Sequence, residues 1–174
     1  MDAMNFLINI VFDLFIIVAL LRLWLQLVRA DFYNPVSQFV ARATNPLVQP
    51  MRRVIPMLGQ LDLASLILAL LLGVAKILTL SAINGFAIAP VQIGIFAGLS
   101  VLAQALDLLF WIVVIRALLS WFSRGYNPME AILHQLTEPL MAPIRRILPP
   151  MGGLDLSAML VLIAIIFVQR LLGL

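Results

Sequence analysis

Four times along this chain, mainly apolar residues run for the thickness of a membrane. The stretches are residues 5–28, 61–83, 91–122 and 154–172. A helix needs roughly 20 such residues to cross a hydrocarbon core of about 30 Å, so each stretch predicts a transmembrane span. The third is long enough to tilt or to project beyond the bilayer. Asn84, Gly85 and Pro90 break the chain between spans two and three. Two longer connections, 30–60 and 123–153, hold most of the proline and arginine. The expected fold class is all-α, a polytopic bundle of four transmembrane helices.

Each connection has its own helical pattern. Asn127 can cap a helix whose first residue is Pro128, and Asn34 and Pro35 repeat the arrangement. Met129, Ile132, Leu133 and Leu136 then form an apolar stripe at helical spacing, as do Val36, Phe39, Val40 and Ala43. Pro139 is expected to end its helix and start another, with Leu140, Ile144, Ile147 and Leu148 as a second stripe. Asp62 and Asp155 stand where they can cap the following spans. Two placements fit these connections: amphipathic helices in the headgroup layer, which the basic polar faces favour, or re-entrant hairpins. The pairs Arg52–Arg53 and Arg145–Arg146 fit binding of anionic lipid headgroups or an acidic partner, or simply hold the connections inside.

Arg29 and the two connections together supply seven arginines, while no charge lies between Lys76 and Asp107. Positive loops stay cytoplasmic, so both termini are expected outside, in the periplasm of a Gram-negative cell.

The chain also repeats itself. Asn34-Pro35, Pro46, Pro50, Arg52-Arg53 and Asp62 recur 93 positions later as Asn127-Pro128, Pro139, Pro143, Arg145-Arg146 and Asp155. Asp13 and Arg22 recur 94 positions later as Asp107 and Arg116. Each copy holds two spans, so both enter the membrane in the same sense. The units are 1–90 (spans 5–28 and 61–83, connection 30–60) and 91–174 (spans 91–122 and 154–172, connection 123–153). Two parallel tandem repeats with amphipathic interfacial connections follow.

Composition agrees: 64% of residues are hydrophobic and 11% charged, far from a soluble domain. With no cysteine there is no disulfide, thiol nucleophile or thiolate metal site. The start, MDAMN, lacks the basic segment of a cleaved signal peptide.

Charges inside spans need explanation, because lipid does not solvate them. Asn5, Asn9 and Asp13 share one helical face, and Ser100, Gln104 and Asp107 share another. Asp13 is expected to pair with Lys76, and Asp107 with Arg170. Either these are structural ties or they line a polar path for ions, protons or a small solute. Ser65, Ala69 and Gly73 form a small-residue stripe for close packing, and Gly94 with Gly98 suggests another contact. Arg22 and Arg116, near span ends, are expected to snorkel to the interface. His134 stands without other metal ligands. No hydrolase triad, Walker loop or nucleotide fingerprint is present, so no enzyme, metal or cofactor is expected. Nor is direct nucleic-acid binding; a homo-oligomer and unidentified membrane-protein partners are.

The second connection closely resembles the YggT family signature. It reads Arg116-Ala-Leu-Leu-Ser-Trp121, Asn127-Pro128, Leu136-Thr-Glu138-Pro139-Leu140, Ala142-Pro-Ile-Arg-Arg-Ile-Leu-Pro-Pro150 and Gly153-Leu-Asp-Leu-Ser157. The first is a looser version, with Asn45 where the family has Glu and nothing equivalent to Trp121. The resemblance implies a small bacterial inner-membrane protein with plastid relatives also called YlmG. Bacterial members are linked to osmotic-stress tolerance, potassium uptake, cell division or nucleoid distribution, and a plastid relative to cytochrome b haem attachment. The expected role is a non-enzymatic membrane factor acting on envelope homeostasis, membrane-protein assembly or division. An ion or small-solute pathway, or its regulator, is the alternative.

Overall fold

Asn5 and Asn84 exchange amide hydrogen bonds at one end of a long helix pair, and Asp13 meets Lys76 further along it. Such pairing requires antiparallel helices in fixed register. The computed structural model describes residues 2–122, 127–147 and 156–174, which hold six helices and no strand. These are α1 (Asp2–Leu27), α2 (Pro35–Arg52), α3 (Leu63–Asn84), α4 (Pro90–Phe122), α5 (Pro128–Ile147) and α6 (Leu156–Leu172).

By length and composition, α1, α3 and α4 suffice to cross a membrane, and they mark a membrane protein. They match the first three predicted spans, with ends displaced by at most three residues. Their outward side chains, such as Phe6, Leu14, Leu71 and Phe96, are exposed and suit lipid rather than water. The 17 residues of α6 are equally apolar but reach only about 25 Å at the usual helical rise.

The helices α1, α3 and α4 pack against one another, and α6 packs on α4. At one end of this bundle lie α2, against α1 and α3, and α5, against α4 and α6. Three apolar clusters run through it. Ile16, Leu68 and Val101 centre the first, among α1, α3 and α4. Leu25, Val40, Ile112 and Leu136 join α1, α2, α4 and α5 in the second. Val113, Met141 and Val161 join α4, α5 and α6 in the third.

Lipid is as apolar as leucine, so helices within it associate through close fit. Ser65, Ala69 and Gly73 supply that fit, being buried on α3. A Cβ on Gly73 would stand 3.1 Å from Val101 Cγ2 and 3.3 Å from the Ala97 carbonyl on α4. Gly94 and Gly98 do not make the contact their spacing suggests. Nothing lies within 4 Å of a Cβ added at either, because Ala97 and Val101 hold the packed face of α4.

Two expectations about the connections fail. Pro139 does not end a helix: α5 passes through Pro139 and Pro143, as α2 passes through Pro46 and Pro50. An internal proline removes a helical donor and crowds the preceding turn. Here α1 supplies donors to those turns. Trp24 Nε1 donates to the Leu136 carbonyl at 2.8 Å, and Arg22 Nη1 to the Ala41 carbonyl at 3.3 Å. These bonds tie the proline-bearing helices to the neighbouring span.

The buried stripe of α2 is Ser37, Val40, Thr44 and Val48, while Phe39 and Ala43 face outward. A polar partner inside the bundle draws Thr44 inward. The two N-caps are as the sequence suggests: Asn34 Oδ1 accepts from the Val36 amide and Asn127 Oδ1 from the Met129 amide, both at 2.9 Å.

Gly73→Leu is expected to destabilise the protein by about 1–3 kcal/mol, the cost of overpacking a tight contact. Gly94→Leu should be nearly neutral, and thermal unfolding in detergent compares the two.

Candidate functional site

Arg22 stands five residues before the end of α1, where a charged side chain would ordinarily reach for the headgroups. It turns inward and is 9% exposed. Its Nη1 donates to Thr44 Oγ1 at 2.5 Å and Asn45 Oδ1 at 2.8 Å, both on α2. Its Nε lies 3.7 Å from Asp62 Oδ2. Snorkelling is therefore the wrong account of Arg22. A planar guanidinium with five donors can satisfy several acceptors at once, which a lysine cannot.

Asp62 joins the same knot from the start of α3. It takes the N-cap position, yet its side chain makes no cap bond to the backbone. The carboxylate instead accepts from Arg52 Nη2 at 2.6 Å and Ser65 Oγ at 2.5 Å. It is completely buried, and a side-chain guanidinium outcompetes a backbone amide for it. Gln26 Oε1 accepts from the same Arg52 Nη2 at 2.6 Å. Burial pushes the Asp62 carboxyl up, but the hydrogen bonds from Arg52 and Ser65 and the charges of Arg52 and Arg22 outweigh it. The carboxyl is held below the usual carboxylate range.

A related knot ties α5 to α4. Arg116 donates to Thr137 Oγ1 and approaches Glu138 Oε2 at 3.7 Å. Arg145 Nη1 donates to Glu138 Oε1 at 3.2 Å, and the exposed His134 lies 3.3 Å from Glu138 Oε2. Arg116 is thus also turned to α5 rather than to the interface. Asp155 lies outside the described residues, as do Arg124, Pro149 and Gly152.

The arginine pairs are not equivalent within themselves. Arg52 turns to Asp62 at the head of α3 and Arg145 to Glu138 of its own helix, whereas Arg53 and Arg146 are exposed. Sequence reasoning missed this split. Thr44 and Thr137, each one residue after a predicted stripe position (Ala43 and Leu136) and 93 positions apart, were the overlooked signal: each lies on the inner face where an arginine arrives.

Beside the first knot is a cavity of about 450 Å³, lined by Arg22, Arg29, Arg52, Gln26, Gln60 and Ser37 with apolar neighbours. Arg29 closes α1 at φ 53, a left-handed position where glycine is usual. Its amide bonds the Gln26 carbonyl and the next amide bonds Leu25, the pattern of a Schellman close. Gln60, with its amide set to satisfy both neighbours, donates to the Leu27 carbonyl and accepts from Arg29 Nη2, each at 3.0 Å. Gly59, at φ 61, permits the tight turn between Leu58 and Leu61 that brings Gln60 there.

The intramembrane charges occupy the opposite half of the bundle. Asp13 Oδ1 accepts from Lys76 Nζ at 2.7 Å and Gln104 Nε2 at 2.8 Å. Asn9 folds back on the Asn5 carbonyl of its own helix. Asp107 does not pair with Arg170. It accepts from Gln169 Nε2 at 2.7 Å and is exposed, as is Arg170. One helical step separates Gln169 from Arg170, about 100° of rotation, so only one of them faces α4. Gln104 and Asp107 likewise part, one toward α1 and the other toward α6.

No group of metal-ligating side chains occurs among the described residues. The chemistry on offer is recognition by arginine and neutralisation of charge.

The sequence pattern of the CCB3/YggT family matches residues 1–83 and 95–174. A Vibrio alginolyticus protein described as "Uncharacterized protein in proC 3'region" is 49% identical across 99% of this chain and 95% of its own length. "Uncharacterized protein YggT" of Escherichia coli (strain K12) is 43% identical across 94% and 85%. A Haemophilus influenzae protein is 36% identical across 88% and 82%. No solved structure matches.

The lowered Asp62 carboxyl gives stability a pH dependence of known sign. A group whose folded pKa lies below its unfolded value stabilises the fold above that unfolded value, near 3.8 here. The gain is lost as pH falls through the folded value. Thermal midpoints in detergent should show Asp62→Asn well below the native chain near neutral pH, with the gap closing below about pH 4.

Proposed function

The chain belongs to the CCB3/YggT family, and from that membership we propose a non-enzymatic factor of the bacterial inner membrane. It spans the bilayer four times, as two parallel copies of a two-span unit, 1–90 and 91–174, with both termini periplasmic. Its two cytoplasmic connections meet anionic lipid headgroups and other membrane proteins. The roles that fit are envelope homeostasis, tolerance of osmotic stress, membrane-protein assembly or division.

The split of the arginine pairs carries this role. Arg52 holds α2 against the spans and Arg116 holds α5 through Thr137, so these helices are fixed platforms. Arg53 and Arg146 remain outside, available to an acidic surface. Phe39 and Leu47 on α2 are 65% and 47% exposed. An outward apolar side beside exposed arginine suits the headgroup layer, and favours interfacial helices over re-entrant hairpins. The two separate blocks matched by the family pattern support the tandem arrangement. So do the antiparallel pairings of α1 with α3 and α4 with α6.

The alternative is a path for ions, potassium among them, or small solutes along Asn9, Asp13, Lys76, Gln104, Asp107 and Arg170. The hydrogen bonds that bind Asp13 to both Lys76 and Gln104 favour a structural tie instead. A conducting site keeps ligands available to a passing ion.

Because the chain has no cysteine, single cysteines report topology directly. In intact cells, Arg53→Cys and Arg146→Cys should resist a membrane-impermeant thiol reagent, and Ala87→Cys should react. The opposite pattern would overturn the orientation. Liposomes holding the purified protein should leak no more potassium than empty ones; flux abolished by Asp13→Asn would instead establish the pathway.

A further inference from the structure

We propose that the cavity beside the Arg22 knot is a binding site for a phosphate group. The site is built from three elements: the end of α1, the inner face of α2 and the tight turn at Gly59 and Gln60. Arg22, Arg29 and Arg52 bring three positive charges to its lining. Asp62, bonded to Arg52, offsets one of them. An excess of two positive charges in a half-sheltered cavity calls for an anion.

The donors are also arranged for one. Arg22 Nη1 and Nε are directed to α2 and Asp62, and Arg52 uses Nε and Nη2 for Asp62 and Gln26. Among the described residues, Arg22 Nη2 and Arg52 Nη1 have no such partner. Two guanidinium groups already fixed by their other donors lose little freedom on binding a tetrahedral oxyanion.

Ser37 provides an independent sign. It lines the cavity, is 6% exposed, and its Oγ has no hydrogen-bond partner. A buried hydroxyl left unsatisfied is costly and rare, and a ligand oxygen would satisfy it. Arg29 gives another. A left-handed arginine at a helix close, where glycine would be relaxed, is strain kept at the rim of a cavity that its side chain helps line. Phe32 and Met57, 65% and 44% exposed, add apolar surface beside the charged floor.

The same chemistry is borne by an anionic lipid headgroup and by free phosphate. The cavity accepts a phosphate whatever its source; only the lipid source rests on the interfacial role proposed above.

The test is native mass spectrometry of the full chain in a neutral detergent, titrated with short-chain phosphatidic acid, with inorganic phosphate as competitor. One lipid should bind per chain. Arg29→Gln and Ser37→Ala should each weaken binding by about tenfold, the worth of a charge-assisted or otherwise orphaned hydrogen bond. Ser37→Ala should leave the thermal midpoint unchanged or raise it, since it removes an unsatisfied hydroxyl. Arg53→Gln, outside the cavity, should bind as the native chain does. Competition by inorganic phosphate supports recognition of the phosphate itself, and lipid binding that resists it supports a headgroup site. Binding of inorganic phosphate alone keeps the cavity as a phosphate site and excludes the lipid source. Binding of neither, or equal weakening by Arg53→Gln, overturns the proposal. The cysteine labelling pattern stands apart from all these outcomes and judges the interfacial role separately.

Discussion

A charged group near the hydrocarbon must find its partners within the protein, and Arg22 meets that demand by reaching across to two other helices. Thr44, Asn45 and the Ala41 carbonyl on α2 receive its donors, and Asp62 at the head of α3 balances its charge. Arg52 closes the circuit from the far end of α2. Breaking one member of such a buried network costs several kcal/mol, because the others are left uncompensated. The network therefore fixes where α2 lies and how the chain re-enters the bundle. Arg116, Thr137, Glu138 and Arg145 do related work between α4 and α5.

The prolines become intelligible on this footing. Pro46, Pro50, Pro139 and Pro143 all stand inside helices held by contacts with the spans. Each removes a backbone donor, and α1 grips the turns before Pro46 and Pro139 through Arg22 and Trp24. Packing of the spans then relies on close approach at Gly73 and on the polar tie of Asp13, Lys76 and Gln104. With the spans and α2 so fixed, arginine donors and the Ser37 hydroxyl converge on one cavity.

Much of the architecture was legible before any coordinates. Length and hydropathy located α1, α3 and α4, and asparagine before proline located the starts of α2 and α5. The Asp13–Lys76 contact followed from shared helical faces and opposite charge. What the pattern concealed was three-dimensional. Pro139 looks like a terminator unless the donor on Trp24 is known to be nearby. Arg22 looks like a snorkelling side chain unless Thr44 and Asn45 are known to face it. Arg52 and Arg53 look interchangeable, yet one helical step of about 100° sends one inward and the other out. Arg170 has the charge to meet Asp107, but Gln169 has the direction.

The central claim is that arginine from the spans pins the connecting helices. Hydrogen–deuterium exchange of the reconstituted chain, native against Arg22→Leu, tests it most directly. If Arg22 is the pin, amides of α2 lose protection while those of α1 and α3 retain it. Unchanged protection in α2 would mean that apolar packing alone holds the helix, and the account built on Arg22 would be wrong.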